Sequence, residues 1–170
     1  MTAKTLPIDW LTYSRLPEIE RLRTACGFAD AVPTLHQVMD DPTGGGLVVF
    51  DRRGYQPLGY LLYRVLLASN LALVREVGVE PMCRRFGLAS QLLRHLLAKV
   101  VGAAKVTVAA SVPENNLAAQ MLLRQHGFQC CRVKPKSHKT EQGDYIDSYI
   151  FRYHHDAQKP HQVPQAPQGR

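Results

Sequence analysis

No stretch of this sequence approaches the run of about 18 apolar residues that a bilayer-spanning helix needs, and Met1–Trp10 lacks a basic segment followed by an apolar one. These absences predict a cytoplasmic protein with no membrane partner. Cysteine is scarce. Cys26, Cys83, Cys130 and Cys131 show no C-x-x-C spacing, and the adjacent Cys130-Cys131 pair suits neither a disulfide nor a metal framework, so reduced structural thiols and no metal are expected. No glycine-lysine-serine/threonine run of a Walker loop occurs, and no G-x-G-x-x-G spacing is met, which disfavours two large families of nucleotide binders. Nor is there an internal repeat at solenoid or propeller periods.

What the chain does contain is the composition of one ordinary globular domain: 170 residues, 45% hydrophobic and 21% charged. Its formal net charge of +7 admits nucleic acid, an anionic cofactor or an acidic substrate as partner. Arg84 and Arg85 lie together beside a glycine, whereas Arg132, Lys134, Lys136 and Lys139 form a looser basic run. Neither cluster is interleaved with aromatics as a single-strand nucleic-acid platform is, so RNA or ribosome contact is only a secondary expectation. A monomer or homodimer is expected.

Hydrophobic periodicity orders the chain. Leu16-Pro17 opens a short helix through Ile19, Leu22 and Arg23, and Pro33 opens a second around Leu35, Val38 and Met39. Leu47–Phe50 and Leu58–Leu67 read as a hairpin across the polar turn Asp51–Pro57, and Leu71–Val79 reads as a third antiparallel strand closed by Pro81. Leu88, Leu92, Leu93, Leu96, Leu97 and Val100 give the strongest helical signal. Lys105–Ala110 follows as a strand parallel to the one before that helix. A helix over Leu117–His126, opened at Asn115 or Asn116 and stopped by Gly127, precedes a strand from Phe128. The polar stretch Ser137–Asp144 separates that strand from a last one, Tyr145–Tyr153. The domain is expected over residues 1–153, with residues 154–170, rich in Pro and Gln, as a flexible tail.

The segment Val77-Gly78-Val79-Glu80-Pro81-Met82-Cys83-Arg84-Arg85-Phe86-Gly87-Leu88-Ala89 places a strand end, a glycine turn and a helix start in succession. Free N–H groups there, together with the positive end of the helix dipole, form a cradle for a diphosphate. The string Arg84-x-x-Gly87-x-Ala89 resembles the [Q/R]-x-x-G-x-[G/A] acetyl-CoA motif of the Gcn5-related N-acetyltransferases (GNAT), and it follows a V-x-V-x-P strand end as that motif does. Asn116-Leu117-Ala118-Ala119, with Gly127-Phe128 beyond, looks like the family's N-x-x-A…G-F block. Within the family the pattern is most similar to the bacterial ribosomal-protein alanine N-acetyltransferases.

The resemblance covers roughly Ile8–Tyr153 and implies a mixed α/β (α+β) fold: a mostly antiparallel central sheet of six to seven strands flanked by about four helices, with a first strand near Ile8–Tyr13. It also implies transfer of acetyl from acetyl-CoA to a primary amine, either a peptide N-terminus or a small molecule. The backbone of Val77 and Val79 would pair with the pantetheine, Val79 N–H serving as oxyanion donor. Arg84, Arg85, Gly87, Leu88 and Ala89 would surround the pyrophosphate, and Asn116 and Ala119 would border the pantetheine.

The usual base and acid positions hold Ser111 and Leu123, neither suited to proton transfer. Substitutes among Glu76, Tyr145, Tyr149 and His138 are open, each with a bland alternative: an ion pair with Arg75 or a neighbouring strand for Glu76, sheet packing for the tyrosines, solvent exposure for His138. The same departure leaves a second reading open, a non-catalytic acyl-CoA-binding module. If the Arg84–Ala89 turn holds the cofactor, Gly87→Val and Arg84→Glu each weaken acetyl-CoA binding in calorimetry, the second by placing a carboxylate beside the pyrophosphate. Unchanged binding in Gly87→Val would remove the assignment.

Overall fold

The computed structural model describes residues 5–28, 33–104 and 107–153, and the expected tail over 154–170 lies outside the described residues. Seven strands form one sheet: β1 (Ile8–Trp10), β2 (Gly44–Phe50), β3 (Pro57–Leu66), β4 (Leu71–Val79), β5 (Thr107–Pro113), β6 (Gln129–Lys139) and β7 (Tyr145–Tyr153). Their order is β1-β2-β3-β4-β5-β7-β6, with β4 and β5 parallel and every other pair antiparallel. Four α-helices flank the sheet: α1 (Leu16–Ala25), α2 (Leu35–Asp40), α3 (Leu88–Ala104) and α4 (Leu117–Gln125). This is the mixed sheet expected from the sequence, the first strand included.

Helices cover both faces, which is why β2 reads as a continuous apolar run. Leu47 and Val49 enter a core shared with Leu88, Leu92, Leu93 and Leu96 of α3. The alternate residues Val48 and Phe50 join Leu16, Ile19 and Leu22 of α1 and Leu35 and Val38 of α2. Local chemistry sets the helix starts. Pro17 stands in the first turn of α1, Thr34 and Gln37 make a reciprocal capping box on α2, and Asn116 Oδ1 accepts from Ala119 N at 3.1 Å to cap α4. After α4, Gly127 takes φ +82°, the left-handed conformation that glycine adopts without Cβ strain.

Three expected boundaries change. Gly44–Gly46 belong to β2, and β5 continues past Ala110 to Pro113. Ser137–Lys139, expected within the separating loop, are instead the end of β6, whose turn to β7 is the shorter Thr140–Asp144. The ladder breaks between Lys134 and His138, around Pro135 and a left-handed Lys136 (φ +46°), then resumes at His138↔Ile146. On an edge strand exposed along nearly its whole length, polar residues cost little, so composition does not betray the strand.

One irregularity governs the centre. In the β3–β4 ladder Leu62 faces Glu76 while Tyr63 faces Val74, so Arg75 is an extra residue, a β-bulge on β4. The bulge shifts the alternation by one, bringing Glu76 to the α1 side and Val77 and Val79 to the α3 side. There Arg23 of α1, 2% exposed, grips Glu76 with both arms of its guanidinium: Nε to Oε1 and Nη2 to Oε2, each at 2.8 Å. Tyr60 Oη donates to Glu76 Oε1 at 2.5 Å. Removing one partner from such a buried pair leaves a desolvated charge at a cost of about 3–5 kcal/mol, whereas removing both into apolar residues is often neutral. Glu76→Leu is therefore expected to destabilise by about that amount, and the Arg23→Leu/Glu76→Leu double variant to recover most of it, as read by urea unfolding of all four proteins in the cycle.

Candidate functional site

The bulge also coincides with the end of a ladder. β4 pairs with β5 only over Leu71–Val74 against Thr107–Ala110. Beyond that, Ser111–Pro113 pair with β7 alone, while Glu76–Val79 pair only with β3. The two strands part, leaving a gap in the middle of the sheet. Glu80 N donates to Leu58 O at 2.9 Å, which makes Gly59↔Val79 and Leu61↔Val77 the pairs whose main-chain groups turn away from each other. The N–H groups of Val77 and Val79 therefore point into the gap.

Gly78, between them, is held under the Tyr60 ring. A Cβ at Gly78 would lie 2.6 Å from Tyr60 Cζ and 2.7 Å from its hydroxyl oxygen, closer than packed atoms tolerate. Burial, then the hydrogen bond to Glu76, raises the Tyr60 phenol well above its ordinary value, so it stays a neutral donor to the carboxylate.

Past Val79 the chain turns through a short 3-10 segment, Pro81–Cys83, into a bend where Arg85 and Gly87 have φ +68° and +78°. A Cβ on Gly87 would meet nothing within 4 Å, so glycine serves there for its conformation rather than for clearance. Gln91 N donates to Gly87 O, the first bond of α3, so the N–H groups of Leu88, Ala89 and Ser90 precede the intrahelical ladder. Left-handed residues followed by free N–H groups at a helix start form an anion cradle. Arg84 and Arg85 are exposed beside it, and Arg84 Nε reaches Val79 O at 3.4 Å. The Cys26 thiol, at the end of α1, donates to the same oxygen at 3.3 Å. Burial raises that thiol above its usual range, against the pull of Arg84.

The remaining sequence candidates divide. Asn116 and Ala119 sit at the start of α4, which follows β5 directly; the Asn116 side chain is engaged in the cap, and Ala119 packs against the core. Tyr149 pairs with Val112 on the strand next to the gap and packs on the α3 side. Tyr145 is exposed four residues earlier, roughly 13 Å along the strand, and His138 is exposed on β6. Ser111 is exposed, and Leu123 is buried in the core. Glu76 has its oxygens occupied by Arg23 and Tyr60, a different partner from the expected Arg75. Arg23, Tyr60 and Cys26 escape a reading by motif, since each meets β4 across 16 to 53 residues of chain.

A groove of about 440 Å³ runs between α1 and the β2–β3 hairpin, lined by Glu18, Leu22, Tyr55 and Pro57 and ending at Glu80. Among the described residues no group of three His, Cys, Asp or Glu is placed to hold a metal, and no helix is long and apolar enough to cross a membrane.

A model of the acetyltransferase (GNAT) family matches residues 10–128. Among solved structures, the ribosomal-protein-S18-alanine N-acetyltransferase of Escherichia coli is similar over 88% of this chain and 94% of its own, with 20% identity and a TM-score of 0.74. Arabidopsis thaliana NAA60 in complex with acetyl-CoA is similar over 89% and 99%, with 19% identity and a TM-score of 0.75. A chimera of the spermidine N-acetyltransferase SpeG from Vibrio cholerae with hSSAT is similar over 91% and 98%, with 16% identity and a TM-score of 0.78. No curated protein matches the chain by sequence.

Gly78→Ala tests the packing of Tyr60 on β4. The added methyl is expected to cost about 1–3 kcal/mol in thermal unfolding and to weaken acetyl-CoA binding, with Tyr60→Leu in the same chain restoring part of the stability. Full stability in Gly78→Ala alone would show that Tyr60 is free to move.

Proposed function

The chain belongs to the GNAT family of acetyltransferases, and we propose that within it the protein carries acetyl from acetyl-CoA to the N-terminal α-amine of a peptide. The observation that carries the cofactor half is the gap between β4 and β5, entered by the N–H groups of Val77 and Val79 and continuous with the Gly87 turn. A pantetheine arm, an extended chain with two amides, fits a strand edge left without a partner. The N–H groups of Leu88 and Ala89, with Arg84 and Arg85, fit the pyrophosphate, and Asn116 and Ala119 border the arm from α4. Acetyl-CoA supplies an activated acyl group on a thiol that leaves readily.

Each step then falls to a group of this chain. Val79 N–H donates to the acetyl oxygen as negative charge grows there, a contribution worth several kcal/mol when the donor is fixed in advance. Val77 and Val79 align the carbonyl toward the opposite face of the sheet, where the groove ending at Glu80 and the exposed surface beside Ser111 admit an extended chain. Glu76, held by Arg23 and Tyr60, positions β4 rather than moving a proton. Tyr149 is the sequence candidate nearest the gap for protonating the departing thiolate.

The chemistry of the amine favours the peptide reading. With Ser111 and Leu123 at the usual base and acid positions, the acceptor must be drawn from the neutral fraction of the amine in solution. An α-amine, with a pKa of about 7.7–8.0, supplies a useful neutral fraction near pH 7, whereas an amine like that of lysine, near 10.4, supplies less than about a thousandth. The test is CoA-thiol release with peptides, lysine side chains and polyamines. Peptide α-amines are expected to turn over fastest, with kcat/KM rising with pH to a plateau set by the amine itself. A plateau that stays put when the amine pKa is altered would instead reveal a dedicated base. Tyr149→Phe should lower kcat about tenfold or more if its hydroxyl protonates the thiolate.

A further inference from the structure

The sheet face turned away from α3 is cationic beside the gap. On β5, Val108, Ala110 and Val112 enter the α3 core, so Ala109, Ser111 and Pro113 face the other way. Phe151 and Tyr153 of β7 likewise enter that core, so Ser148, Ile150 and Arg152 share the face of Ser111. The register then adds the edge strand: Arg132 stands opposite Ile150, and Lys134 opposite Ser148. Three cross-strand rows result: Ala109–Arg152–Gln129, Ser111–Ile150–Arg132 and Pro113–Ser148–Lys134.

Ser111, Arg132, Lys134 and Arg152 are all exposed, and among the described residues no carboxylate pairs with the three cations. Asp147 and Glu114, chain neighbours of Ser148 and Pro113, each accept a backbone N–H instead: Asp147 Oδ1 from Lys136 N at 2.9 Å and Glu114 Oε1 from Asp147 N at 3.2 Å. A face that leaves three cations unpaired next to the point of transfer is complementary to negative charge.

We propose that the acceptor is an acidic peptide, whose carboxylates, from about the third residue onward, are read by Arg132, Lys134 and Arg152. The inference rests on the peptide reading of the same site. Its geometry follows from the sheet. Arg132 lies two strands from Ser111, about 10 Å across the ladder, and an extended peptide advances about 3.3 Å per residue, so an amine at the gap brings its third or fourth residue over Arg132. Ile150, half-buried between Ser111 and Arg132, gives the first residues an apolar floor.

The experiment compares three peptides of equal length and identical first two residues, with aspartates, serines or lysines at positions three to five, alongside spermidine. The full chain and its Arg132→Glu/Lys134→Glu variant are both assayed. The aspartate peptide is expected to exceed the serine peptide about tenfold in kcat/KM at low salt, through KM, and the advantage should shrink at 0.5 M salt as screening shortens the reach of each charge. In the variant that ratio should fall to one or below, while calorimetry still shows acetyl-CoA binding.

Equal turnover of all three peptides, or preference for lysines or spermidine, overturns the acidic acceptor while leaving peptide or amine acetylation standing. Salt-sensitive RNA binding that the variant loses, without any charge preference among peptides, reassigns the face to nucleic acid and also overturns it. No turnover with any amine, despite acetyl-CoA binding, removes the reading on which the proposal rests.

Discussion

A single extra residue on β4 decides how this domain is organised. Were Arg75 paired as a regular member of the ladder, Glu76 would continue the alternation of Ala72 and Val74 into the α3 core, and Val77 and Val79 would face α1. The bulge exchanges these faces. It also falls where pairing with β5 stops, immediately after Val74↔Ala110, because a bulged strand bends and twists away from its neighbour. One backbone event thus sends a carboxylate to one layer, sends apolar side chains to the other and opens the sheet between them.

The opening has a cost, since peptide groups removed from a ladder and left unpaired are each worth about 1–3 kcal/mol when buried. What holds the strand in its parted course is geometric. The bidentate Arg23–Glu76 pair roughly breaks even as a contribution to stability, because desolvation offsets the attraction. Its directional bonds nonetheless fix α1 against the residue next to Val77. Tyr60 completes the clamp from β3, hydrogen-bonded to Glu76 and seated over Gly78. The valines that face the gap are thereby held by groups on the far side of their own strand, so a binding edge can be rigid without having anything paired to it.

How much of this was legible depended on the range of the interactions. The leucine period of α3, the bounds of β4 and β7, and the turn around Gly87 follow from local chemistry, and the sequence reading places them where the structure does. Glu76 drew attention as a charged residue in an apolar strand, but its partner lies 53 residues away on a helix whose buried arginine reads as surface by composition. Nothing local reports a bulge. The end of β6 was missed for a related reason: an edge strand exposed along its length carries no alternation, and Pro135 with Lys136 interrupts the ladder just where a loop is expected. The cationic face could not be read at all without the register, since Ser111, Arg152 and Arg132 become neighbours only through β7.

The two basic clusters acquire a physical sense once they are placed on the sheet. Arg84 and Arg85 stand just before α3, beyond the end of β4, whereas Arg132, Lys134 and Arg152 are exposed on the face of β6 and β7 turned away from the α3 core. Two anionic ligands meeting at one gap would repel each other if both charges were brought to the point of reaction. In the proposed complex the phosphates would lie at the Gly87 turn beyond Val79, and an acidic chain would cross β7 toward the edge strand β6. The reacting amine and carbonyl would then meet beside uncharged residues: Val77, Val79, Ser111 and Ile150. Cations on both sides of such a site would favour a neutral amine over an ammonium, as transfer without a dedicated base requires.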